Sequence, residues 1–296
     1  MPFDRPGTWL RCQLHAHTTR SDGEATVEGL VEHYARARFD ALAITDHWEL
    51  TRAEHAELVL VPASELSART ALGGEADVLA YGIERLPEPR EEFPSIAEAA
   101  RWIVEAGGVA FLAHPYWSGL VPDDYLGAPD LAGLEVYNAG SELNHGNGLS
   151  AVHWDDILHR GARPFGLATD DSHYPGFDSR LAWTTVRAAE RSAAAIVDAL
   201  RSGAFYASNG PVLEDVRVVD GGVVVRSSPA RTVLLRSGPW DGCTVHADPL
   251  AMDWRGRAVR MDAAGLIVEA RLDPPELWGW GRVEVIAPDG SRAWSN

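Results

Sequence analysis

The sequence predicts an α/β fold over residues 1–211, followed by a small antiparallel β domain over residues 212–296. Three observations lead there. Apolar runs and helical patterns alternate through the first two thirds of the 296 residues. From about residue 212 the pattern changes to Val-rich runs broken by Asp-Gly, Gly-Gly and Pro. Of the 11 histidines, ten lie between His15 and His173 and only His246 lies beyond.

Taken in order, WLRCQLHAH (9–17) reads as a strand, and TVEGLVEHYARARF (26–39) has helical spacing with Thr26 as its N-cap. ALAIT (41–45), LVLVPASE (58–65) and ADVLAYG (76–82) read as short buried strands. Ser95-Ile-Ala-Glu98 forms a capping-box pattern whose helix stops near Gly107. GVAFLAH (108–114), GLEVYN (133–138) and PFGLAT (164–169) are further strands, with helices expected around 149–160 and 191–202. A strand–helix rhythm of this kind predicts a parallel sheet with crossover helices, open or closed into a barrel. The runs VLEDVRVVDGGVVVRSS, RTVLLRSG, LIVEARLDPP and GRVEVIAPDGSRAW predict hairpins in a sheet or sandwich.

Composition narrows the chemistry. The chain has no lysine, so Schiff-base catalysis, a P-loop lysine and a carboxylated lysine bridge are excluded. A net charge of −17 argues against binding a nucleic-acid backbone, which needs a basic face. No apolar run suggests a membrane span, and the N-terminus has no apolar signal-like region. Cys12 and Cys243 are the only two cysteines, which fits a reducing cytoplasm.

In a parallel α/β architecture, reactive side chains gather at the C-terminal ends of the strands. Those ends carry His15 and His17, Asp46 and His47, Glu65, His114, Glu135 and Asn138, then Asp171 and His173. His and carboxylate groups suit Zn²⁺, Mn²⁺ or Fe²⁺ in hydrolytic sites. An extended His-x-His sends both imidazoles from one strand face. His33, His55, His145, His153, His159 and His246 read instead as ordinary solvated or packing histidines.

The segments His15-Ala-His17-Thr18, Ser21-Asp22-Gly23, Ile44-Thr45-Asp46-His47, Glu65-Leu66-Ser67, Ala113-His114-Pro115 and Asp171-Ser172-His173 resemble, in order, the motifs of the PHP (polymerase and histidinol phosphatase) superfamily. The resemblance implies a distorted seven-stranded β/α barrel and a metal-dependent hydrolase, chiefly a phosphoesterase, with two or three divalent cations. One ion would take His15, His17, Glu65 and Asp171, and a second would take Asp22, His47 and His173. A third would share Glu65 and use His114. Asp77 stands where many members supply a further histidine for that ion. Asp46, before His47, would support the ligands or assist proton transfer, with His114 and Asp171 as further catalytic residues.

The resemblance also implies attack by metal-bound hydroxide on a small, anionic phosphomonoester or nucleotide. With no lysine, Arg180 and then Arg69 are the candidate phosphate contacts, and Glu135 and Asn138 would help hold substrate. FYASNGP (205–211) and DDSHY (170–174) resemble a branch that carries a C-terminal β domain and includes enzymes similar to carbaryl hydrolase. That branch keeps a carboxylic or carbamic ester open as the alternative substrate, and Trp48, Trp117 and Trp183 flank the motifs. A non-catalytic, metal-stabilised binding protein is the remaining reading. The expected partner is a small molecule, and the oligomeric state is left open.

Overall fold

The computed structural model describes residues 2–238, 240–274 and 279–296. The chain forms two compact units, one of residues 6–204 and one of residues 1–5 with 205–296. Residues 205–211 were expected in the first unit. They fall in the second because Phe205–Ser208 pairs with the C-terminal strand, Tyr206 opposite Ser295.

The first unit contains β1 (Thr8–Gln13), β2 (Ala41–Ala43), β3 (Val59–Val61), β4 (Ala63–Arg69), β5 (Glu75–Tyr81), β6 (Val109–Leu112), β7 (Leu131–Asn138), β8 (Phe165–Thr169) and β9 (Trp183–Ala188). Its helices are α1 (Val27–Arg36), α2 (Ile96–Glu105), α3 (Pro122–Tyr125), α4 (Ala139–His145), α5 (Ala151–His159) and α6 (Ala193–Arg201). Local sequence explains the helices well. The hydroxyls of Thr26, Ser95 and Ser192 accept the backbone N–H groups of Gly29, Glu98 and Ala195, which would otherwise lack an intrahelical partner. On α1 the buried Leu30, Val31 and Tyr34 pack with Phe39, Leu42, Ile44 and Leu58. On α2 the buried Ile96, Ala99, Ala100 and Ile103 follow the spacing that makes one helical stripe.

The strands depart from a closed seven-stranded barrel. They form one sheet of order β9-β1-β2-β3 and a second of order β4-β5-β6-β7-β8, each with its own ladder. The reason lies in strand direction. Pairing is parallel for β1-β2-β3 and β6-β7-β8, but β9 runs antiparallel to β1, and β4, β5 and β6 form an antiparallel meander. Among the described residues, isolated bridges join the sheets, Ala16 to Ser172 and His47 to Glu65. Both bridges tie together residues that carry the sequence motifs, so the place where the sheets meet is where the histidines meet. Glu65 also differs from expectation. Pro62 interrupts the run 58–65, and Glu65 lies near the start of β4 rather than at a strand end.

The second unit holds β10 (Phe205–Ser208), β11 (Leu213–Val219), β12 (Gly222–Ala230), β13 (Thr232–Arg236), β14 (Gly242–His246), β15 (Gly256–Met261), β16 (Ile267–Leu272), β17 (Arg282–Ile286) and β18 (Arg292–Ser295). All its pairings are antiparallel, in the orders β11-β12-β16-β15 and β14-β13-β17-β18-β10. Val219 faces Gly222 across a two-residue turn, Asp220-Gly221, whose φ values are 48° and 75°. Two successive positive φ angles define the hairpin turn that favours Asp-Gly. Pro275, at the end of the run LIVEARLDPP, lies outside the described residues. No helix among the described residues is long and apolar enough to cross a membrane. Both cysteines are buried free thiols.

Candidate metal centre

The chain after β1 is clamped from two sides. The N–H of Ala16 donates to Thr45 Oγ1 and the N–H of Thr45 to the Ala16 carbonyl, while the N–H of His17 donates to Ser172 O and that of Asp171 to His15 O. The regular strand stops at Gln13, yet the two imidazoles converge, with ring centroids 5.1 Å apart. His114 and Asp171 have positive φ, 24° and 53°, an uncommon backbone state for side-chain-bearing residues that clusters at functional sites. Gly140, at the start of α4, fits against this segment because a Cβ there would lie 2.9 Å from the Asp171 carbonyl oxygen.

The donor atoms meet closely. His15 Nε2 lies 3.1 Å from His17 Nε2, 3.1 Å from Glu65 Oε2 and 3.1 Å from Asp171 Oδ1. His17 Nε2 lies 3.2 Å from each of the same two carboxylate oxygens. The triangle of His15 Nε2, His17 Nε2 and Asp171 Oδ1, with sides of 3.1–3.2 Å, is small enough for one cation to reach all three atoms at bond lengths of ~2.0–2.2 Å. His15 Nδ1 is 2.7 Å from Glu135 Oε1. If that nitrogen donates, the His15 Nε2 lone pair points at other lone pairs, an arrangement a cation or protons must stabilise. Glu65 Oε1 and Asp171 Oδ1 are buried and make no hydrogen bond among the described residues. This donor set fits a divalent cation.

Two further groups adjoin it. Asp22 Oδ2 lies 3.2 Å from His173 Nε2 and 3.7 Å from His47 Nε2, and His47 Nε2 lies 3.6 Å from Glu65 Oε2. On the other side, His114 Nε2 lies 3.3 Å from Glu65 Oε1. Among the described residues, four sets of donor atoms converge, His15–Glu65–His114, His15–His17–Asp171, His17–His47–Glu65 and His17–Asp22–His173. Asp77 is outside all four. It is buried on β5, its carboxylate accepts the Ser67 hydroxyl at 2.9 Å, and it lines the same cavity.

Charge is mutually compensated in this cluster. Burial disfavours an imidazolium at His17 and His114, but the adjacent carboxylates, Asp171 and Glu65 at His17 and Glu65 at His114, outweigh it and raise their pKa values to about 10 and about 9. Burial likewise opposes ionisation of Asp171, and the surrounding imidazoles outweigh it, holding the carboxyl below its ordinary range. A hydrogen bond from His173 does the same for Asp22. Burial, reinforced by Glu65, pushes Asp77 up to about 6. Protons and cations therefore compete for the His17 and His114 nitrogens. Titrating metal into chelator-treated protein near neutral pH is expected to release protons. Calorimetry in buffers of differing ionisation enthalpy reads this directly. Uptake without proton release would contradict this competition.

Several expected contacts take other roles. Glu135 does not reach the cavity. It is fully buried, and its four neighbours are His15 Nδ1 at 2.7 Å, the Thr169 hydroxyl at 2.6 Å, the His114 N–H at 2.8 Å and the Asn138 amide at 2.8 Å. Asn138 also donates to Asp171 Oδ2 at 3.1 Å and caps α4 by accepting the Ser141 N–H. Both are hydrogen-bonded to the donor set, and neither lines the cavity. Asp46 is fully buried and accepts the N–H and hydroxyl of Thr18 and the hydroxyls of Ser21 and Thr51. That fixes the loop carrying Asp22. Arg69 pairs with Glu92 at 2.8 Å, and Arg180 is exposed with its backbone N–H held by Asp170. Neither arginine lines the cavity.

The cavity has a volume of about 260 Å³. Besides the donor cluster and Asp77, it is lined by Trp117, Gly140, Ser141, Asn144 and His145. The three side chains from α4 were missed in the sequence, where His145 read as ordinary. The signal was their position just after GLEVYN, on the helix that Asn138 caps.

Residues 13–113 match the PHP domain family profile. No curated protein sequence matches the chain. Among solved structures, a two-domain protein from Bacteroides vulgatus, described as containing a predicted PHP-like metal-dependent phosphoesterase, aligns with a TM-score of 0.54 and 19% identity, covering 98% of this chain and 95% of that one. PsfC from Pseudomonas syringae aligns with a TM-score of 0.50 and 16% identity, covering 66% of this chain and 90% of that one. The motifs read from His15 onward, the PHP domain profile matched over residues 13–113, and the donor cluster at the junction of the sheets agree, so that this segment of the first unit is similar to a PHP domain.

Proposed function

We propose that this protein is a metal-dependent hydrolase that cleaves a small phosphomonoester or nucleotide. The observation that carries the reading is the buried His15–His17 pair, whose Nε2 atoms each stand 3.1–3.2 Å from Glu65 Oε2 and Asp171 Oδ1, with Glu65 Oε1 and Asp171 Oδ1 left without a hydrogen bond among the described residues. Asp22, His47 and His173 would hold a second ion, and His114 with Glu65 a third. Mn²⁺, Zn²⁺ and Fe²⁺ suit this nitrogen and oxygen set. Such cations supply positive charge and Lewis acidity toward the oxygens of an ester.

The chain's own residues do the rest. Glu135 fixes the His15 ring, Asn138 aims Asp171, and Asp46 holds the loop that presents Asp22. Ser141, Asn144 and His145 face the space a substrate would fill. A cavity of about 260 Å³ suits a small substrate, since small-molecule sites usually run from roughly 300 Å³ upward.

A carbamic or carboxylic ester is the second reading. It is favoured by a cavity whose described lining has no arginine and includes Trp117, set edge-on to His114 at 4.9 Å. The test is a panel of phosphomonoesters, nucleotides and aryl carbamates, assayed with metal-loaded and chelated protein. Turnover of phosphomonoesters, lost on chelation and restored by Mn²⁺, is expected. Turnover of carbamates alone would move the assignment to the second reading, and chelator-insensitive turnover would reject both.

A further inference from the structure

We infer that His145 donates the proton to the leaving group of the substrate hydrolysed at this site, an inference that rests on the proposed hydrolase function. Trp117, Gly140, Ser141, Asn144 and His145 remain among the described lining residues. Imidazole is the side chain of this set suited to deliver a proton near neutral pH. The histidines of the cluster are committed to carboxylates, whereas the His145 ring makes no hydrogen bond or ion pair among the described residues and has Trp117 as its ring neighbour at 6.4 Å. The residue is exposed, so solvent can reprotonate it after each turnover.

Its position is built rather than incidental. His145 ends α4, and Gly146 follows at φ 70°, closing the helix through its N–H to the Glu142 carbonyl. The Asn138 N–H donates to the Gly148 carbonyl at 3.0 Å, and the Gly148 N–H donates to Glu142 Oε2 at 2.9 Å. A Cβ on Gly148 would lie 2.1 Å from the Asn138 carbonyl oxygen, so the loop closes only with glycine there. The same Asn138 that aims Asp171 therefore anchors the loop that presents His145.

In the step, an oxygen from water forms a bond to phosphorus as the bond to the leaving oxygen breaks. The electron pair goes to the leaving oxygen, which takes the proton from the His145 ring. Water's own proton passes to solvent. The donor matters when the leaving oxygen is a poor one, as in an alkyl ester, and matters little for a nitrophenolate.

The experiment compares wild type, His145→Ala and His145→Asn, all metal-loaded and checked for equal metal content and melting temperature. The substrates are glycerol phosphate and p-nitrophenyl phosphate. Both variants are expected to lose about 100-fold or more in kcat/KM on the alkyl ester and less than about 5-fold on the aryl ester, at unchanged metal content. Equal losses on the two esters, or no loss on either, would overturn the assignment while leaving the hydrolase reading intact. A fully metal-loaded wild type that hydrolyses neither ester would overturn the phosphoesterase reading, and this inference with it.

Discussion

His17→Ala is expected to abolish turnover and strip metal from the cluster while the chain stays folded. His17 Nε2 is within 3.2 Å of His15 Nε2 and of oxygens from both Glu65 and Asp171, and the His17 ring stacks on those of His47 and His173. It therefore belongs to three of the four donor groups, including both that also hold Asp22 or His47. Removing it should cost more than the roughly 10–100-fold in affinity that follows loss of an outer partner. The hydrophobic packing of Leu30, Tyr34, Leu42 and Ile44 does not involve this ring. Metal analysis, circular dichroism and an activity panel check the three parts together. Retained turnover at wild-type level would remove His17 from the ligand set.

Glu135→Gln is expected to weaken metal binding by about 10–100-fold and to destabilise the fold by about 1–3 kcal/mol. Every neighbour of the Glu135 carboxylate can donate a hydrogen bond. An amide in its place turns one acceptor into a donor, which must face either His15 and Thr169 or His114 and Asn138. The change keeps size and shape, so the effect isolates hydrogen bonding. Urea denaturation and metal titration measure the two consequences. A variant with unchanged metal affinity would show that the His15 orientation does not depend on Glu135.

Much of the site was legible because short motifs place their residues locally. His15-Ala-His17 and Asp171-Ser172-His173 each put two donors at a fixed offset, and the structure brings these together with Asp22, His47, Glu65 and His114. Two helix starts were legible too, since Thr26 and Ser95 act through N–H groups three residues away, whereas the short α3 and α4 were not expected. Strand direction was not. An alternation of strands and helices suggests parallel pairing, but the β4–β5 connection spans only residues 70–74, too short for a crossover and enough for a hairpin. Roles within the cavity mouth were equally hidden. Glu135, Asn138 and Arg180 have side chains suited to substrate, yet burial and hydrogen-bond partners assign the first two to support and leave the third outside. His145 gave no motif, because a lone histidine at a helix end has no spacing partner.

The central claim is that these distant residues together hold divalent ions. Elemental analysis of purified protein, dialysed and then incubated with Mn²⁺, Zn²⁺ or Fe²⁺, tests it most directly. Two or more ions per chain in the wild type, with a clear deficit in His17→Ala, is the expected result. Less than one ion per chain under every loading condition would contradict it.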